Sequence, residues 1–319
     1  MPRLLNSKFA LASLSLSTTL GLALTGCGGS GPQVGDATVF PEPGVNVSAP
    51  AAAPKSGANA PAGSTAGATP EATSTSPSAP SAPVKAEGWG TLKGQITFSG
   101  DVPAVKVLQE KGKAEKDPEY CAKDAPILSE ALIVDGASKG VKNVLVYLSK
   151  PTAVNPEAKK AQKEATPVFD QIKCTFEPHV MGMMAEEAIT LKSSDAVNHN
   201  VNVKLKNSSY NATIGPNGSA PFTPSGAERT PGAVVCDIHP WMKSYWMVLD
   251  HPYYAVTDAK GNFEIKNVPA GTQKVVVWQE SVTGPGFVSA PSGDDVVIKA
   301  GDTVTKDFKI DAGKIRAGQ

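Results

Sequence analysis

The sequence predicts an all-β protein, and three observations carry the prediction. Residues 91–98 alternate so that Leu92, Gly94, Ile96 and Phe98 share one face, the period of a half-buried strand. Short apolar runs recur around Ile189, Val201, Val234, Trp246, Ala255, Phe263, Val276, Val297 and Phe308, each closed by Gly, Pro or Asn. Short strands with frequent turns build β-sandwiches. Only one stretch reads as helix: Asn155-Pro156 supplies a cap and a first-turn proline, and an Ala/Lys/Glu run follows to Ala165.

From the N-terminus, Arg3 and Lys8 precede an apolar run from Phe9 to Leu24, shorter than the roughly 20 residues a membrane-spanning helix needs. It ends in Leu24-Thr25-Gly26-Cys27, which resembles a bacterial lipobox. That resemblance implies that residues 1–27 are a lipoprotein signal and that Cys27 is acylated. The chain is then exported and lipid-anchored to a bacterial membrane, at the outer membrane, in the periplasm or on the cell surface. Residues 28–88 form a linker. From Ser48 to Pro83 every residue but Lys55, Asn59 and Glu71 is Ala, Pro, Ser, Thr or Gly. Such a segment buries too little apolar surface to offset ordering entropy and is expected to stay disordered. About sixty flexible residues would reach on the order of 40 Å.

Folded structure is expected from Trp89. Val144 to Leu148 is a continuous run of β-formers, which reads as a strand buried on both faces. Thirty basic and thirty acidic side chains cancel, so no field draws the chain to nucleic acid. With Cys27 lipidated, Cys121, Cys174 and Cys236 remain in an oxidising compartment, and one thiol of the three must be left over. Cys121–Cys174 and Cys174–Cys236 are both open as the disulfide.

The chemistry concentrates in Cys236-Asp237-Ile238-His239-Pro240-Trp241-Met242. A thiolate, an imidazole and a thioether lie on one short loop after an apolar strand. Soft sulfur with imidazole suits copper, and two His, one Cys and a weak axial Met form the blue-copper set. The second imidazole has a candidate in Asn198-His199-Asn200-Val201. A zinc site built from Cys236, His239, His199 and His179 is the rival chemistry. His179 and His251 otherwise read as structural, and Met181, Met183 and Met184 as core.

Residues 168–250 resemble a cupredoxin domain of the plastocyanin and amicyanin kind. The likeness rests on Ile189 to Asp195 leading into His199-Asn200-Val201, on Phe176-Glu177-Pro178-His179-Val180, and on Thr230-Pro231-Gly232 before the strand into Cys236. The Cys-x2-His-x2-Met loop is similar to that of amicyanin. The resemblance implies a Greek-key sandwich holding one type 1 copper through His199, Cys236, His239 and axial Met242. Asn200 would brace the loop and the sulfur. With Cys236 so used, Cys121–Cys174 becomes the disulfide. Cupredoxins normally place a Gly before the strand at Ile189, where this chain has Ala185-Glu186-Glu187.

Tyr254 to Trp278, with a hairpin turn at Lys260-Gly261 and a Pro269-Ala270-Gly271 turn, resembles a carboxypeptidase regulatory-like, transthyretin-like sandwich. The first strand of that family is similar to Gly90 to Phe98. The expected domains are therefore 89–150 with 251–312 as one sandwich and 168–250 as a cupredoxin between its halves. The function expected is non-enzymatic single-electron transfer to a redox protein partner, from a partly exposed His239 edge beside a Trp241 docking patch. The alternative is a non-catalytic lipoprotein whose transthyretin-like sandwich binds carbohydrate or a partner protein.

Overall fold

The computed structural model describes residues 87–318. The signal, Cys27 and the linker up to residue 86 lie outside the described residues. Among the described residues, no helix is long and apolar enough to cross a membrane.

The molecule is built from strands, and four principal sheets organise them. The long strand Trp89–Ser99 pairs antiparallel with Asn262–Pro269 and parallel with Thr303–Thr305 and Phe308–Asp311. A second sheet orders Tyr254–Val256, Leu145–Leu148, Gly271–Trp278 and Asp294–Ile298. Both sheets thus mix strands from the two ends of the described chain. The remaining two use residues 168–249 only. One orders Ser219–Phe222, Ile189–Ser193, Val168–Ile172 and Thr175–Glu177. The other orders Ser209–Ile214, His199–Lys204, Gly232–Val235, Lys243–Leu249 and Val180–Met184. In residues 168–249 the chain crosses repeatedly between its two sheets, as Greek-key sandwiches do.

Side-chain alternation explains how the sheets stack. Val146 and Leu148 pack with Leu92, Ile96, Val275 and Val277 in one core, whereas Leu145 and Tyr147 join Val276, Trp278, Met247 and Leu249 in another. Trp246 and Val248, one residue out of phase with Met247 and Leu249, enter a third core with Phe169, Phe176, Leu191, Val201 and Val234. The strands Leu145–Leu148 and Lys243–Leu249 are therefore apolar on both faces because a sheet lies on either side of each. Sheets stack in four layers.

The predicted helix forms at Pro156–Glu164, where the Asn155 side chain accepts from the amides of Glu157 and Ala158. The turn at Lys260-Gly261 departs from expectation. Gly261 has φ +78°, and Asp258 Oδ1 accepts from the amides of Lys260 and Asn262, so the chain does reverse tightly. Yet Tyr254–Val256 and Asn262–Pro269 belong to different sheets. The turn is a corner between layers, not a hairpin: Tyr254–Val256 pairs with Leu145–Leu148 and Asn262–Pro269 with Trp89–Ser99. Glu186 occupies the place where the resemblance expects Gly and adopts φ +61° itself. Next to it, Glu187 Oε2 accepts from the amide of Met184 at 2.7 Å and Oε1 from Gln162 at 2.9 Å, which holds the corner.

Candidate metal centre

His199 opens the strand His199–Lys204, and Cys236 follows directly on Gly232–Val235. These strands are antiparallel neighbours, with Asn202 opposite Val235, so pairing alone brings the imidazole and the thiol to one end of the sheet. The loop then folds back on itself. The amide of Met242 donates to the His239 carbonyl at 2.9 Å, and the amide of Cys236 donates to the Met242 carbonyl at 3.2 Å. His239 is thereby turned inward toward its own loop partner.

The result is a compact donor set. Ligand atoms of His199, Cys236 and His239 lie within 4.8 Å of one another. The two Nδ1 atoms are 2.9 Å apart, and Cys236 Sγ is 3.8 Å from His239 Nδ1. Two bare imidazole lone pairs repel at such a separation, so a cation belongs between them, whether proton or metal. Metal–nitrogen bonds of about 2.0 Å and metal–sulfur bonds of about 2.3 Å span these gaps. The donor types and spacings fit a soft or borderline ion such as copper. Met242 is buried in the same core as Cys236, and its backbone closes the ligand loop.

Each imidazole is held from behind by a carboxylate. Asp195 Oδ2 lies 2.8 Å from His199 Nε2, and Asp117 Oδ2 lies 2.8 Å from His239 Nε2. With Nε2–H given to a carboxylate, each ring presents Nδ1 to the interior. Asp195 is itself fixed by the amides of Lys173 and Cys174 and by the Tyr120 hydroxyl. Asn200 touches both parts of the centre. Its amide donates to Cys236 Sγ at 3.4 Å, and its side chain donates to Asp237 Oδ2 and accepts from the Asp237 amide. Asn202 and Asn211 also donate to the Asp237 carboxylate.

Charge follows this geometry. Burial alone would raise the Cys236 thiol, but His199, His239 and the amides of Asn200 and His239 bring it down to about 6. Burial alone would lower His199, yet Asp195 and Cys236 hold it up at about 9. The centre stabilises a thiolate.

Cys121 and Cys174 form a disulfide, and Cys236 is free and buried. The disulfide ties residues near Asp117 to the sheet beneath the centre, and the Trp241 indole donates to the Cys174 carbonyl at 3.0 Å. This cover overturns one expectation. His239 presents no exposed edge: its side chain is 0% exposed, because Asp117 arrives from a segment the cupredoxin resemblance does not include. The sequence reading singled out neither Asp117 nor Asp195 as a site residue. Asp195, four residues before His199, carried a local signal; Asp117 carried none. His179 joins none of the donor groups among the described residues and lies between Glu130 and Glu280. His251 is buried, its Nδ1 accepting from the Tyr253 amide.

The family model for domain II of polysaccharide lyase family 4 matches residues 224–306. The model that matches these residues is thus not the carboxypeptidase regulatory-like one that the resemblance had implied, and the match runs across the Cys236–Met242 loop as well as the C-terminal strands. No curated protein matches the chain. Similar solved structures are cupredoxins and a copper enzyme. A proline-to-glycine mutant of amicyanin in its reduced Cu(I) form is 18% identical over 27% of this chain and 83% of its own, with a TM-score of 0.24. A purple cupredoxin from Nitrosopumilus maritimus is 13% identical over 26% and 98%, with a TM-score of 0.23. The copper-containing nitrite reductase from Thermus scotoductus is 16% identical, with a TM-score of 0.24, and the match spans only 22% of its length. At these scores the likeness is partial, and the donor geometry stands on its own.

Proposed function

We propose that His199, Cys236 and His239, with Met242 as a weak axial ligand, hold one copper ion in a type 1 centre. The proposed role is single-electron transfer to a redox protein partner, without catalysis, from a membrane anchor at Cys27. The observation that carries this reading is the convergence of one ring nitrogen from each imidazole and the Cys236 sulfur within 4.8 Å, in a buried seat. Bound there, copper supplies a one-electron couple between Cu(II) and Cu(I). The chain's own part is to hold the donors still. Asp195 and Asp117 fix the rings, the Asn200 and His239 amides hold the sulfur, and burial excludes water. Docking at a bare imidazole is not part of this reading; the surface nearest His239 is the segment that carries Asp117.

The test is an absorption spectrum of the copper-loaded chain. An intense visible sulfur-to-copper band is expected, and Cys236→Ser should abolish it. A colourless protein holding stoichiometric zinc would overturn the proposal. A second reading draws on the match to a polysaccharide lyase domain: the C-terminal strands bind a polymer without cleaving it. Retention on an immobilised polysaccharide, unchanged by Cys236→Ser, would favour that reading.

A further inference from the structure

Three donor groups overlap in the described residues: His199 with Cys236 and His239, Cys121 with Cys174 and His239, and Cys174 with Asp195 and His199. Within each, the ligand atoms lie within 4.8 Å of one another. The first is the seat proposed above. The second is silent while Cys121 and Cys174 share a bond, because the thiolate and not the cystine sulfur is the metal ligand. Reduction changes that.

We propose that in the dithiol form of the chain Cys121, Cys174 and His239 make a second metal site, and that disulfide formation closes it. The ligand class is a soft, thiolate-seeking cation such as Cu(I) or Zn(II). The two Cα atoms are 5.6 Å apart, a spacing at which side-chain rotation parts the sulfurs once the bond is open. Two thiolates around one ion stand at most about 4.6 Å apart, given metal–sulfur bonds of about 2.3 Å. Both cysteines and His239 are 0% exposed, so the two sulfurs give up their protons there only when a cation takes their place. His239 belongs to both groups, so the two seats compete for one ring.

Closure is a thiol–disulfide exchange with a disulfide oxidant of the exported compartment. Cys121 and Cys174 form the new S–S bond and lose two electrons; the oxidant's S–S bond breaks, its two sulfurs leave as thiolates, and the cation is released. Oxidation therefore leaves His239 to Cys236 and His199. The disulfide acts as a selectivity device as well as a staple, removing two competing sulfurs from a crowded donor cluster.

The inference does not depend on copper occupying the first seat, and its test avoids that seat. The full chain carrying Cys236→Ser is unfolded in denaturant with a phosphine, refolded without oxygen and titrated with Co(II). Near-ultraviolet sulfur-to-cobalt absorption with the strength of two thiolates is expected, and it should vanish after oxidation to the disulfide. Adding Cys121→Ser and Cys174→Ser should remove it. Absence of the band from the reduced Cys236→Ser chain, or its survival in the triple variant (which would place it at Cys27), overturns the proposal. If a variant does not refold, X-ray absorption of the wild-type chain decides. The dithiol form should show two thiolate sulfurs per bound ion where the disulfide form, holding the ion through Cys236 alone, shows one, and equal thiolate counts would end the idea. A missing visible copper band in the disulfide form would instead count against the electron-transfer reading alone.

Discussion

A carboxylate stands behind each imidazole of the centre, and the two are anchored unequally. Asp195 is almost wholly buried and receives four hydrogen bonds, whereas the Asp117 side chain is 44% exposed and arrives on a covering segment. Partners behind ligand imidazoles typically contribute 10–100-fold to metal affinity. Asp195→Ala is expected to weaken metal binding by about that factor and Asp117→Ala by less, read by chelator competition on the loaded chain. Equal or negligible losses would show that the rings are held by packing instead. At the same scale, burial lowers the basicity of His251, so the folded chain keeps that ring neutral where the unfolded chain, at its ordinary 6.5, takes up a proton. The contribution is fully present above 6.5 and is lost as pH falls through that value toward the lower folded pKa. Urea midpoints measured from pH 7.5 down to about 5.5 should fall more steeply for the wild type than for His251→Gln. Parallel profiles would refute the assignment.

At the scale of elements, the stacking depends on strands with two apolar faces and on one very close approach. A side chain at Gly182, in Val180–Met184, would run into the ring of Tyr254, which sits on the neighbouring layer. Gly182→Ala must therefore separate two sheets or displace that ring. A loss of about 1–3 kcal/mol is expected from such overpacking, measured by chemical denaturation. Little of this closeness is legible from residues alone. The run Val144 to Leu148 does announce a strand buried on both faces, because five consecutive apolar β-formers leave no side for water. By contrast, Tyr254–Val256 and Asn262–Pro269 read as a hairpin, since the tight turn between them is local while their actual partners, Leu145–Leu148 and Trp89–Ser99, lie far away in sequence.

At the scale of the whole molecule, the shared core of Leu145, Tyr147, Val276, Trp278, Met247 and Leu249 joins residues 168–249 to the strands that precede and follow them. The layers are thus not free to melt one by one. Calorimetry of the full chain is expected to show a single cooperative transition, and two resolved peaks would show independent sandwiches. Opening the Cys121–Cys174 disulfide should lower stability by about 2–4 kcal/mol through the freed chain entropy.

The ligand loop was written in the order of the residues: Cys236, His239 and Met242 lie within one turn-and-return, so their convergence is nearly a local property. Alternation likewise dictated strands, and Asn155-Pro156 dictated the helix start, because hydrogen-bond caps and side-chain period act over a few residues. Folding decided what covers the proposed metal seat. Asp117 reaches His239 across 122 positions of chain, and the sulfurs of Cys121 and Cys174 join the donor cluster only where distant segments pack. Contacts of that kind depend on which sheets stack against which, a choice made by the summed burial of whole faces and not by any short run of residues.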